Sequence, residues 1–235
     1  MEVPLLIEQG QTLYMHDHVY WLPSPERIVR LLAAAKRQGK FPQPTEPINP
    51  TTVPNELLLH QGTTPIITIR HPVLTIPSNY RAMHSLTPNP SENNTISSGD
   101  YHCLRELYDF YKANGISPVV VDADDYMTSE DYVLHICRKV PGLDPENAVL
   151  SWPKTSDEEQ KEMNPHLVTV QNTLINSQGL VPGRASQNQN LAEVQSKWAA
   201  EFGEEKARSF KKIVQFNTAP YEYLRERRLR LDKAA

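Results

Sequence analysis

Two groups of residues in this chain carry types and spacings that could do chemistry. The first is Arg70 with Ser78, in the stretch Pro65-Ile66-Ile67-Thr68-Ile69-Arg70-His71-Pro72-Val73-Leu74-Thr75-Ile76-Pro77-Ser78. An apolar run stops at an arginine, a proline turns the chain, and a serine follows in the next helix. A guanidinium forks onto two oxygens and a hydroxyl donates to a third, so the pair suits a phosphate. Arg184, which follows Gly183 in a loop, offers a second guanidinium. The other group is His16-Asp17-His18. On an extended segment, alternation sends both imidazoles to the same side. A neutral imidazole with a pKa of about 6.5 can take a proton from a substrate hydroxyl. The same three residues could also touch a metal, but no spaced His or Cys pair accompanies them, and no metal site is assigned.

Each group also has a plain structural explanation. Arg70 could cap a sheet edge, Ser78 could pack within a helix, and Gly183-Arg184 could be an ordinary loop. Tyr20, Trp21 and Tyr80 either line a pocket or fill the core. Asp122, Asp124 and Asp125 form an acidic turn that is read as a helix cap, with Asp122 or Asp124 as alternatives to Asp17 for orienting a histidine.

The elements that must position these residues are legible in outline. A short strand is expected at 12–15, leading into His16. A helix begins at Ser24, a good N-cap, with Pro25 in its first turn and Glu26 complementing the dipole. Ile28, Leu31, Leu32 and Ala35 form its apolar stripe, and Gly39 ends it. Prolines at 42, 44, 47, 50 and 54 make an ordered or semi-rigid loop. A buried strand is expected at 65–69, then a helix at 73–84 with Pro77 in its first turn, and a polar loop at 87–98. A helix at 99–114 closes on Gly115. The β-branched run at 118–122 reads as a strand buried on both faces, and a helix follows at 129–140. The C-terminal third, about 189–235, is expected to be mainly helical, with segments at 190–202, 204–216 and 219–231. The order strand, helix, strand, helix, strand, helix implies one α/β domain over 1–235, built on a doubly wound parallel sheet with flanking helices. Ligands of such sheets bind beyond the carboxyl ends of the strands, where the residues after Met15, Ile69 and Asp122 would lie.

Composition narrows the class. The chain has 235 residues, 39% of them hydrophobic and 22% charged, with a net charge of −4. That balance gives no support for nucleic-acid or anionic-membrane binding. Two cysteines, Cys103 and Cys137, are too few for a disulfide framework and fit reduced core thiols in a cytoplasmic protein. No apolar run approaches the roughly 20 residues that span a bilayer.

With these residues assembled, the chain resembles the P-loop sulfotransferase-like proteins of the small-molecule branch, in particular fungal ones. Four stretches carry the similarity in order: 14–23, with His16-Asp17-His18, resembles the segment bearing the catalytic base. Arg70 to Ser78, eight apart, resembles the 3′-phosphate segment. The run 119–126 resembles the strand and acidic turn before a helix. Finally, 179–184 with Pro220-Tyr221-Glu222-Tyr223-Leu224 resembles the end of the domain. The resemblance implies a transferase acting on a small hydroxylated molecule of specialised metabolism, with His18 as base and His16 or Asp17 as alternatives. It implies the donor 3′-phosphoadenosine 5′-phosphosulfate, held by Arg70, Ser78 and Arg184. The chain departs from the pattern in one respect: no Gly-rich or Ser/Thr-rich phosphate loop precedes His16, so the fold is expected to be N-terminally incomplete. An uncovered sheet edge would follow, protected by loop cover or by homodimerisation. Two other functions stay open at this point: donor-independent acid-base chemistry in the same pocket, and a non-catalytic binding protein.

Overall fold

The computed structural model describes residues 14–18, 22–37, 41, 44–86 and 91–231. Tyr20, Trp21, the helix stop at Gly39 and the first half of the strand expected at 12–15 lie outside the described residues.

The chain is a mixed α/β structure, mostly helical, around a small parallel sheet. Helix α1 spans Pro25–Lys36, and the Ser24 hydroxyl accepts from the Arg27 N–H as its N-cap. Strand β1 is Ile66–Ile69, followed by α2, Pro72–Leu86. Helix α3 is Tyr101–Ala113, and strand β2 is Val119–Asp122. The one-turn helix α4, Ala123–Tyr126, leads to α5, Glu130–Lys139. Short helices fill 157–175, and the hairpin of α6, Leu191–Phe202, and α7, Glu204–Glu226, closes the domain. Gly203 joins α6 to α7 at φ 83°, a backbone that side-chain-bearing residues rarely adopt.

β1 and β2 pair in parallel, Ile66 opposite Val119 through Ile69 opposite Asp122, so both strands end at the same edge. The described residues hold these two strands, a smaller sheet than the doubly wound one expected. Tyr14 to His18 are irregular and exposed, not the end of a strand. β1 is covered on one face only: Ile67 and Ile69 are buried while Thr68 is exposed. The outer side of β2 meets the chain end, where the Leu229 N–H donates to the Val120 carbonyl at 2.8 Å.

Helix α7 organises the interior. Its first half puts Phe210, Ile213 and Val214 against Leu31, Val73, Ile76, Tyr80 and Trp198. The second half puts Tyr221 and Leu224 against Ile67, Ile69, Tyr101 and Val120. The sequence places separate helical segments at 204–216 and 219–231, and Pro220, which lacks an N–H, stands at the start of the second. Instead α7 runs through it, and the Phe216 carbonyl, deprived of its helical partner, accepts from His102 Nε2 at 3.1 Å. Pro77 likewise sits inside α2, beyond its first turn. Part of the loop expected at 87–98 is a helix, Glu92–Ser98, which the Ser91 hydroxyl caps by accepting from the Asn94 N–H. Cys103 is buried, Cys137 is half-buried, and both are free thiols.

Candidate functional site

Arg70 is the first residue beyond β1, where the apolar strand ends and His71-Pro72 turns the chain into α2. Its peptide is gripped by one phenol. The Arg70 N–H donates to the Tyr101 hydroxyl at 3.3 Å, and the same hydroxyl donates to the Arg70 carbonyl. Thr75 Oγ1 also donates to that carbonyl at 3.2 Å. Burial pushes the Tyr101 phenol up to about 12, so it remains a neutral donor. With the backbone fixed, the half-buried guanidinium has little freedom. Nη2 donates to the Arg184 carbonyl at 3.2 Å, while Nε is buried and has no hydrogen-bond partner among the described residues. Burial, and then the like charge of Arg184, pull this guanidinium below the ordinary arginine value.

Ser78 lies two turns into α2. Together with Leu74, Pro77 and Arg81 of the same helix it lines a cleft of about 230 Å³, closed by Arg70, Gly183, Arg184, Gln189 and Val194. The structure therefore brings Arg70, Ser78 and Arg184 to one cavity from three separate chain segments. The Arg184 guanidinium donates to Thr173 Oγ1. The Arg81 guanidinium forks onto Glu201 at 2.6 and 2.8 Å. Among the described residues, three arginines and no carboxylate line the cleft, a composition that suits an anion. Its volume is below the roughly 300 Å³ at which whole-ligand pockets start.

His16, Asp17 and His18 are all exposed and line neither this cleft nor the larger cavity nearby. The His16 and His18 rings meet edge to face, 5.6 Å between centroids. Partial burial of its ring, then His16, hold the His18 imidazole below the ordinary histidine value, with Asp17 opposing. Tyr80 is buried among Phe202 and Phe210 in the core, not in a pocket. The acidic turn is divided among three tasks. Asp122 caps α4 through the Asp124 N–H and accepts from the Tyr221 hydroxyl at 3.0 Å. Asp124 accepts from Ser186, and Asp125 pairs with Arg228 at 2.6 Å. Among the described residues no group of three or more His, Cys, Asp or Glu side chains is placed to hold a metal ion. Nor is any described helix long and apolar enough to cross a membrane.

Two curated relatives decide the family. The chain is 30% identical to Sulfotransferase ppzF of Metarhizium majus over 246 residues, covering 95% of this chain and 72% of the relative. It is 30% identical to Sulfotransferase ppzF of Metarhizium rileyi over 255 residues, covering 96% and 72%. The chain belongs to this sulfotransferase-like family. No family model matches it, and no solved structure matches it significantly.

In this sulfotransferase-like protein, Arg81 of the cleft and Tyr101, which grips the Arg70 peptide, escaped the sequence reasoning. Arg81 stands one helical turn beyond Ser78, and that spacing on one helix face was a usable signal. Tyr101 had none, because it acts across the fold on a partner remote in sequence; Asp124 was in view as a cap or an orienting carboxylate, and only its bond to Ser186 was hidden. His71 sits beside Arg70, and its Nδ1 accepts from the Val73 N–H at 3.2 Å, which leaves the neutral ring's proton on Nε2. Burial holds it below the ordinary histidine value, with Asp124 opposing.

Proposed function

We propose that the protein transfers a sulfuryl group from 3′-phosphoadenosine 5′-phosphosulfate to a hydroxyl of a small molecule of specialised metabolism. In this proposal the small parallel sheet is the visible part of a doubly wound sulfotransferase sheet, and the cleft at its carboxyl edge takes the donor's 3′-phosphate. Arg70, Ser78 and Arg184 would hold that phosphate, the two arginines through their guanidinium groups and the serine through its hydroxyl. The observation that carries the proposal is one cleft lined by Arg70, Ser78 and Arg184, with no carboxylate among the described residues that line it.

His18 is proposed as the base, with His16 and Asp17 beside it. Its depressed pKa keeps the imidazole neutral and able to accept a proton near neutral pH. The acceptor oxygen forms its bond to sulfur while the sulfur–oxygen bond to the 5′-phosphate breaks. The hydroxyl proton goes to the imidazole, and adenosine 3′,5′-bisphosphate leaves. Supply of the acceptor in the cytoplasm, action as a monomer or a homodimer, and independence from nucleic acid and membrane complete the proposal.

Calorimetric titration with adenosine 3′,5′-bisphosphate tests the donor site. Wild type should bind, and Arg70→Ala should weaken binding about 10- to 100-fold, the range expected for losing one or two charge-assisted hydrogen bonds. Absence of heat at millimolar bisphosphate would reject it. For the base, the acid limb of the rate profile should fall below the ordinary histidine value and vanish in His18→Gln, while an unchanged rate in that variant removes His18 from the mechanism.

A further inference from the structure

Arg184 enters the anion cleft from an exposed turn, with only short 3-10 segments, Pro182–Arg184 and Ser186–Asn188, around it. Such a turn has no helix or strand to fix it, yet a binding guanidinium must be held close to its productive position. The fold supplies the fixing from both strand ends. From β1, the Arg70 guanidinium donates to the Arg184 carbonyl at 3.2 Å. From α4, which directly follows β2, the buried carboxylate of Asp124 accepts from the Ser186 N–H at 2.6 Å with one oxygen and from the Ser186 hydroxyl with the other. Between these two grips Ala185 is fully buried and Ser186 nearly so.

Resting on the donor site proposed above, we infer that Asp124 is a positioning residue: by latching Ser186 it sets the 182–188 turn so that Arg184 faces Arg70 and Ser78 across the cleft. An ionised carboxylate accepts both donors at once, and charge-assisted hydrogen bonds of this kind are about twice as strong as neutral ones. The carboxylate is also the buried countercharge that opposes the Arg70 and Arg184 repulsion. One acidic side chain in α4, two residues beyond β2, thus ties the second phosphate arginine to the sheet edge that carries the first.

The test uses the whole chain as wild type, Ser186→Ala, Arg184→Ala and the double variant, each titrated with adenosine 3′,5′-bisphosphate. Ser186→Ala keeps the backbone hydrogen bond and removes the hydroxyl, and should weaken binding about five- to tenfold. Because the latch acts through Arg184, the double variant should bind no more weakly than Arg184→Ala alone. Amide exchange in the free proteins gives a second readout: residues 182–189 should exchange faster in Ser186→Ala while β2 and α3 stay as in wild type. Binding of Ser186→Ala within about twofold of wild type, or additive losses in the double variant, would overturn the latch. Unchanged exchange at 182–189 would overturn it too. If wild type binds no bisphosphate the donor site itself fails, and the exchange result still decides the latch.

Discussion

Two arginines in this molecule face opposite circumstances. Arg27, on the apolar stripe of α1, is fully buried. Its Nε donates to Glu106 at 2.6 Å, and its two terminal nitrogens reach both oxygens of Asp100, the longer contact at 3.3 Å. Arg70, at the end of β1, is half-buried with one donor unmet, and the charge that perturbs it most is another arginine. Arg27 is matched by carboxylates and knits α1 to the start of α3. Arg70 is left with an excess of positive charge facing a cavity. Two carboxylates match Arg27, while among the described residues no carboxylate hydrogen-bonds to Arg70, and the donor-site proposal rests on that contrast.

The contrast can be broken most forcefully at Arg27. Arg27→Ala leaves two buried carboxylates without their cation and should cost about 3–5 kcal/mol in denaturant unfolding. A loss under about 1 kcal/mol would show that water reaches Asp100 and Glu106, as at an exposed pair. The same region carries an acid limit. His102 packs between Phe41 and Phe216, and burial pushes its imidazole down to about 4. The unfolded chain, with the ordinary value of about 6.5, therefore binds more protons between pH 6.5 and 4. Stability is full above pH 6.5 and falls as pH drops through that window, by up to about 3 kcal/mol. His102→Gln, which can still donate to the Phe216 carbonyl, should flatten this limb in a pH series of urea unfolding curves. A limb of equal depth in that variant would assign it to other groups. The smallest effect sharpens the comparison from the other side. Ser78→Asp offers Arg70 the carboxylate that Arg27 already has, and should raise stability by about 1 kcal/mol or less while abolishing bisphosphate binding. Retained binding would mean the anion does not sit between Arg70 and Ser78.

How much of this was legible depends on how far apart in sequence the partners lie. Arg70 and Ser78 were visible because strand end, proline turn and helix follow one another within eight residues, and local rules fix their relative placement. Arg184 was visible through the family resemblance. Nothing local marked Arg27, since Asp100 and Glu106 lie 73 and 79 residues away. The passage of α7 through Pro220 was hidden for the same reason: the Phe216 carbonyl finds its donor on His102, 114 residues earlier. Asp124 was read as a helix cap because capping is local, while its partner Ser186 is 62 residues on. At 14–18 the error runs the other way. A strand was expected at 12–15, leading into His16, but Tyr14 and Met15, its described half, are irregular and exposed, as are His16 to His18.

The most direct test of the central claim, that Arg70 is left unmatched for an anion, is thermal unfolding of wild type and Arg70→Ala with and without adenosine 3′,5′-bisphosphate. Without ligand the variant should melt within about 2 °C of wild type or above it, because removing an unpaired buried donor and a like-charge contact costs little. At a concentration about 100 times the wild-type Kd, wild type should rise by roughly 5–10 °C and the variant by much less. A variant that melts well below wild type when free, yet keeps the full ligand shift, would make Arg70 a structural residue like Arg27 and contradict the account.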